Sequence, residues 1–222
     1  MKMIKLILPL FLCLLFQEAI AQLSVGVKGG YTRAWEFYDR DDLPDNAEIH
    51  IHGYHITGMI YTSIGQHFSI GAEPGFIQRG AACIPGFIDF NSDRRMDLNY
   101  VEVPLMLSGR IKLFNNKFSI YGKIGAGAAF LTSVYEEQVA FISPIGEVIP
   151  MDPIVREKID LDNSRLRRWD FGLYSNLGFA YHFGPNQIFL ETGYYHALRD
   201  ADTGFTSQNR SINTGMGYMR SF

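Results

Sequence analysis

The sequence predicts an all-β fold, an eight-stranded antiparallel up-and-down transmembrane β-barrel, on three observations. Apolar and polar residues alternate with a period of two along eight segments. The connections between those segments alternate short and long. The last segment sets Ile212, Thr214, Met216, Tyr218 and Phe222 on one face and ends on an aromatic ring. A period of two is the signature of a strand with two different faces. Short turns at one end, long loops at the other and both termini on the short-turn side describe a chain threaded up and down through a membrane. Only Arg220 breaks the apolar face of the last segment. It lies two residues from the end, where a long cation can snorkel to the headgroups.

The N-terminus predicts export. Lys2 and Lys5 form a basic start, residues 6–16 are an apolar run, and Ala19-Ile20-Ala21 is a small-x-small cleavage site. Residues 1–21 are read as a cleaved signal peptide and residues 22–222 as the barrel domain. The apolar run holds Pro9 and is too short for a spanning helix, which needs about 20 residues. The mature chain keeps one cysteine, Cys83, so no internal disulfide is expected. The formal net charge of −3 gives no support to nucleic-acid binding.

The eight segments run over residues 23–32, 52–63, 67–78, 98–113, 117–132, 168–183, 187–198 and 209–222. Connections at 64–66, 114–116 and 184–186 are tight; those at 33–51, 79–97, 133–167 and 199–208 are long and polar. A tilted strand crosses the apolar layer in about 9 to 11 residues, against a common length of about 5 to 6 in soluble sheets, so these segments are long enough to cross.

One face of the segments carries Ser24, Gly26, Lys28 and Gly30; Ser69, Gly71, Glu73 and Gly75; Tyr100, Glu102, Pro104, Ser108 and Arg110; Ser119, Tyr121, Lys123, Gly125 and Gly127; Asp170, Gly172, Tyr174, Asn176 and Gly178; and Glu191, Gly193 and Tyr195. Small residues with roughly one charge per strand suit a narrow interior better than a wetted exterior, which carries many more charges. The opposite face, with Val25, Val27, Tyr54, Ile56, Ile60, Phe68, Ile70, Val101, Val103, Leu105, Leu107, Ile120, Ile124, Phe171, Leu173, Leu177 and Phe179, is assigned to lipid. The runner-up is a soluble lipocalin-like ligand-binding barrel, in which the two faces exchange roles.

Three stretches carry a family resemblance: Val25-Gly26-Val27-Lys28-Gly29-Gly30, Tyr100-Val101-Glu102-Val103-Pro104-Leu105-Met106-Leu107, and Trp169-Asp170-Phe171-Gly172-Leu173. In order and spacing the mature chain resembles the PorT-like outer-membrane β-barrel proteins of Bacteroidota. The resemblance implies a barrel in the bacterial outer membrane and suggests an accessory place in a protein secretion machine. It does not imply one biochemical activity.

Lys28, Glu73, Glu102, Arg110, Lys123 and Glu191 all fall on the inward face and are expected to form a structural charge network. Buried ions need opposite charges and hydrogen bonds to offset their desolvation. The alternative reading of the same residues is a catalytic carboxylate pair or a proton path. No metal site is assigned. His50, His52 and His55 come nearest to one, but on a strand His55 opposes the other two. Asp89, Asn91 and Asp93 begin like a calcium loop, yet Arg94 stands where the turn needs glycine. No nucleophile elbow, P-loop or paired-cysteine motif occurs, so no enzyme activity and no cofactor are expected. A lipid-modifying enzyme is kept as an alternative function. Arg79, Arg94, Arg95, Arg165, Arg167 and Arg168 are expected at the external strand ends, against lipopolysaccharide phosphates.

The 133–167 connection carries Phe141, Ile142, Ile145, Val148, Ile149 and Ile154, and apolar residues in an external loop need cover. A hairpin continuing the barrel wall is the favoured cover; a surface facing a membrane-protein partner is the other. The expected function is a non-enzymatic barrel with a closed lumen, acting through its external loops or within a larger outer-membrane assembly. Its expected partners are outer-membrane lipid and lipopolysaccharide.

Overall fold

A computed structural model of the protein describes residues 23–38, 50–83, 92–142, 148–204 and 206–222. The expected signal peptide, the residues Asp89 and Asn91, and Ile145 lie outside the described residues, as do the side chains at 81–94 and 138–154.

The described residues form ten strands and no helix: β1 (Leu23–Tyr38), β2 (Ile51–Ile64), β3 (Phe68–Ala72), β4 (Gly75–Cys83), β5 (Ser92–Leu113), β6 (Phe118–Ile142), β7 (Val148–Lys158), β8 (Trp169–Phe183), β9 (Asn186–Ala197) and β10 (Ser207–Ser221). Every pairing is antiparallel, and β10 closes on β1 with Val27 opposite Tyr218. β3 and β4 form one wall strand, because Ala72 pairs with Leu105 and Gly75 with Glu102 in unbroken register along β5. Pro74 interrupts this strand because its nitrogen has no hydrogen to give the ladder. Its carbonyl still accepts from Gly58 N at 2.8 Å. Counting β3 and β4 together gives a closed ring of eight wall strands: β1, β2, β3/β4, β5, β6, β8, β9 and β10.

The turns at 65–67, 114–117 and 184–185 share one end with both described termini. Gly65 and Gly184 have φ of 68° and 64°, the left-handed region glycine enters without a Cβ penalty. At the other end the strands overshoot the barrel. β5 begins at Ser92, not near 98, and β6 runs on to Ile142, not to 132; β7 then folds back on β6 from Tyr135 opposite Lys158 to Ile142 opposite Val148. The long 133–167 connection thus contains the hairpin expected there.

Along β6 the register shifts at two places, one in the hairpin between Gln138 and Ala140 and one at the barrel mouth. Leu131 pairs with Tyr100 and Ser133 with Asn99, leaving Thr132 as the extra residue of a bulge. Its hydroxyl donates to the Asn99 carbonyl at 2.9 Å. The bulge turns Val134 inward, so that both Leu131 and Val134 are buried.

The two faces separate as their chemistry requires. Val25, Val27, Ile56, Ile60, Ile70, Val103, Leu105, Leu107, Ile124, Leu173, Leu177, Leu190 and Met216 are exposed on the outer wall. In the outer membrane this surface meets hydrocarbon. Aromatic rings edge it at both ends. Tyr181 and Phe183 stand near the turns with Tyr218 and Phe222, while Tyr31, Tyr54, Trp169, Phe171 and Tyr194 stand toward the loops. From Tyr181 to Phe171 is ten residues of β8, roughly 33 Å of strand, which a tilt of about 40° reduces to about 25 Å. That matches the height of an apolar band.

Inside, one apolar cluster (Met59, Tyr61, Met106, Tyr121, Tyr174, Phe189 and Tyr195) fills the lumen around the charged residues. A second cluster toward the loops joins Ile77, Leu98, Tyr100, Ala129, Leu131 and Val134. An eight-stranded barrel has an interior only wide enough for side chains, and here side chains occupy it.

Candidate functional site

Four of the six expected network residues meet in the middle of the lumen. Lys28 of β1 contacts Glu73 Oε2 at 2.7 Å and also pairs with Glu191 of β9. Lys123 of β6 contacts Glu73 Oε1 at 2.6 Å and Glu191 Oε2 at 2.5 Å. Two cations and two carboxylates alternate in a closed square, so its formal charges cancel. The Tyr61 hydroxyl donates to Glu73 at 2.5 Å and the Asn176 amide to Glu191 at 2.9 Å. Strands β1, β3/β4, β6 and β9 each contribute one charge, and the square crosslinks the barrel from four sides. Buried ion pairs hold only when the remaining lone pairs are also satisfied, which is the part Tyr61 and Asn176 play.

Glu102 does not join that square. It accepts from Arg79 Nη2 at 2.5 Å and from the Tyr174 hydroxyl at 2.9 Å, forming a second cluster toward the loops. Arg79 was expected at the external strand ends, facing lipopolysaccharide; it is instead 0 % exposed, with its guanidinium 3.7 Å from the centre of the Tyr195 ring. The reason is register. β4 continues to Cys83, and Arg79 is an even number of residues from Glu73 and Gly75, which puts it on the inward face. Above it, Asn209 donates to Asp170 at 3.0 Å and to the Tyr100 hydroxyl at 3.1 Å. Asp170 and Asn209 lie outside the six residues the sequence pattern nominates for the network. Parity from Gly172 and Tyr174 marks Asp170 as inward.

Arg110 also stands apart from the square. It lies toward the turn end, where Nη2 donates to Ser69 Oγ at 2.7 Å. Among the described residues no carboxylate pairs with it. Arg110 is also eight residues along β5 from Glu102, too far up the strand to share that cluster.

Little space remains between these groups. One cavity beside Tyr61, Arg110 and Lys123 and another beside Lys28, His55 and Glu102 each leave about 30 Å³ for water. A single water needs roughly 10 to 15 Å³ on this measure, so each holds only a few molecules.

The loop end carries a separate seal. Ile159, Leu161 and Leu166, from the segment between β7 and β8, pack on the cluster of Leu98, Tyr100, Leu131 and Val134. Ile159 N donates to Val134 O at 3.0 Å and Leu131 N to Arg168 O at 2.8 Å. The segment is tied sideways as well, by Arg167 N to Ala201 O at 2.8 Å and Thr203 N to Arg165 O at 3.1 Å. The β6 bulge makes this seal, because it turns Val134 toward the mouth beside Leu131.

The histidines do not converge. His55 is buried in the lumen with Nδ1 3.3 Å from the Thr32 hydroxyl. His52 lies on the outer wall, stacked on Tyr31 and hydrogen-bonded to its hydroxyl. His50 meets the edge of Trp35 with ring centres 5.1 Å apart. Phe141 and Ile142 end β6 and Val148, Ile149 and Ile154 lie in β7, all in the hairpin beyond the barrel; their side chains fall outside the described residues.

The sequence pattern described as "Outer membrane protein beta-barrel domain" matches residues 17–203. None of the curated proteins compared matches the chain. Among solved structures it is similar to Ail, the attachment invasion locus protein of Yersinia pestis, in complex with the heparin analogue sucrose octasulfate. That match has 17 % identity over 89 % of this chain and 98 % of that one, with a TM-score of 0.43. It is also similar to Neisserial surface protein A, at 10 % identity over 89 % and 97 % with a TM-score of 0.47. The outer membrane protein OprG of Pseudomonas aeruginosa matches at 12 % identity over 90 % and 95 %, with a TM-score of 0.45.

Proposed function

The chain belongs to the outer membrane protein beta-barrel domain family and resides in the bacterial outer membrane, and from that premise we propose that it is a non-enzymatic barrel with a closed lumen, acting through its external hairpin or as a subunit of a larger outer-membrane assembly. The observation that carries this reading is the filled lumen, in which the Lys28, Glu73, Lys123 and Glu191 square is covered by the Arg79 and Glu102 cluster and then by Ile159, Leu161 and Leu166. A channel needs a continuous water path, and these layers interrupt it three times. What extends away from the barrel is the hairpin of β6 and β7 with the end of β5, which is a surface for contact with other molecules.

The PorT-like resemblance favours one version of this role, an accessory component of a protein secretion machine. A membrane-protein partner at the hairpin and lipopolysaccharide around the wall are the contacts this reading assigns. Gentle detergent extraction of the tagged native protein, followed by identification of what travels with it, is the test. A discrete envelope protein in stoichiometric amount supports the reading. A protein that extracts alone, together with altered acyl chains in lipid extracts only when it is expressed, replaces it with the lipid-modifying enzyme.

A further inference from the structure

We propose that the outer wall of β2, β1, β10 and β9, near its loop end, binds a phosphorylated headgroup of an outer-leaflet glycolipid between Arg33 and Arg210. Both side chains are on the lipid face. Arg33 follows Val25, Val27 and Tyr31 on β1 by parity and is exposed, and Arg210 shares its face of β10 with Ile212 and Met216. The ladder sets Arg33 opposite Ile212 and Trp35 opposite Arg210. The two arginines are therefore diagonal neighbours, on the order of 7 to 8 Å apart at the backbone. From that backbone spacing both side chains are long enough for their guanidinium groups to converge on one tetrahedral phosphate, each with its own pair of N–H donors.

Among the described residues no carboxylate pairs with Arg33 or Arg210, whereas Arg79, Arg95, Arg156 and Arg168 each have one. The Arg210 guanidinium carbon lies 4.0 Å from the centre of the Phe37 ring, on the side away from Arg33, and would swing back across Trp35 to share a phosphate with it. An unpaired cation on a lipid-facing wall is costly at the bilayer centre and favourable beside anionic headgroups. Depth along β10 places it at the headgroups. Arg220, over the Phe222 ring at the turn end, is ten residues away on the same face. Ten residues of tilted strand span about 25 Å, one apolar band.

Two further features fit a lipid and not a bare anion. Interfacial rings frame the arginines, with Tyr31 stacked on His52 and Tyr194 on His196. Toward the turn end on the same wall lies an apolar groove of about 580 Å³, lined by Val27, Gly29, Ile56, Leu190 and Met216, which gives an acyl chain a bed beneath the phosphate. The proposal rests on the outer-membrane placement of the barrel and on no feature of the lumen or hairpin.

Native mass spectrometry of the delipidated, refolded full barrel, titrated with bisphosphorylated lipid A, tests it. The wild type is expected to retain lipid A, and the Arg33→Gln/Arg210→Gln variant to bind at least about tenfold more weakly, since charge-assisted bonds of 1.5 kcal/mol or more are lost. The same lipid without phosphates should bind both proteins equally weakly. Arg168→Gln, which removes a paired arginine elsewhere on the rim, should bind as the wild type does. Heat-dependent gel mobility confirms that each variant is folded, and Arg33→Lys/Arg210→Lys should recover part of the binding if the double glutamine variant is not. Equal lipid A binding by wild type and the glutamine variant overturns the site. Arginine-dependent binding of phosphatidylglycerol vesicles or of inorganic phosphate as tight as that of lipid A overturns the glycolipid assignment. Loss of the site leaves the co-purification result untouched, so the two readings fail separately.

Discussion

Gly178 of β8 stands directly across the ladder from Tyr121 of β6, and the phenol ring occupies the place a side chain at 178 would take. A Cβ built there meets Tyr121 Cζ at 2.2 Å. Gly71 yields in the same way to Tyr61 and Gly217 to Phe189, both cross-strand partners. In these three pairs the ring takes the space a facing side chain would need, so a glycine stands on the next strand, whereas Tyr174 and Tyr195 face each other with ring centres 4.9 Å apart.

Gly178→Val is therefore expected to destabilise the barrel by about 1 to 3 kcal/mol through overpacking against the Tyr121 ring. A urea titration followed by heat-dependent gel mobility measures it. Adding Tyr121→Ala should return part of the loss, because the two positions share one space. A glycine replacement that costs nothing in the wild-type background contradicts this packing.

Glu102→Leu leaves the Arg79 guanidinium buried without its carboxylate, and one partner removed from a buried pair costs about 3 to 5 kcal/mol. The double change Glu102→Leu/Arg79→Met removes the stranded charge and should recover most of that stability. The same titration separates the outcomes. If the double variant is no better than the single, Arg79 is not what Glu102 serves.

The proposed closure has three layers, and conductance should report them. Wild-type barrels in planar bilayers are expected to show no stable current steps. Neither replacing Lys28, Glu73, Lys123 and Glu191 together by serine nor changing Leu161 and Leu166 to serine should open a path alone, because the other layers remain. A variant that combines both changes with Arg79→Ser and Glu102→Ser should show discrete steps. Large steady currents from the wild type would contradict the closed lumen.

Much of this arrangement was legible in the sequence because one physical rule governs it: lipid outside and a narrow interior force small and charged residues to one face. Lys28, Glu73, Lys123 and Glu191 follow from that rule by counting in twos. Arg79 obeys the same count and was missed because the polar run after Gln78 reads as loop, while β4 continues through it. The β6 bulge was not legible at all. A single extra residue at Thr132 leaves no mark on composition, yet it sends Val134 inward and so creates the seal at the loop end. Pro74 splits a wall strand for local covalent reasons without changing its register. The pairing of Glu102 with Arg79, not with a lysine, depends on height along the barrel axis, which the alternation of faces does not encode.

Replacing residues 141–154 by a short glycine-serine turn should leave the barrel intact and abolish any stoichiometric protein partner. The truncation keeps the Gln138 and Val155 pair of the β6 and β7 ladder and the Arg156 contact with Glu137 at 3.3 Å. It also keeps every wall strand up to the bulge and all three residues of the loop-end seal. The lost pairs join the end of β6 to β7 and, through Phe141, to Ser92 of β5, a projection that closes no part of the ring. Projecting tips tolerate truncation far better than wall strands do. The readouts are heat-dependent mobility for the barrel and quantitative co-purification for the partner. A variant that folds but keeps its partner moves the contact from the hairpin to the wall or to the loops around Arg165 and Asp202, whereas a variant that fails to fold shows that the hairpin helps to build the barrel.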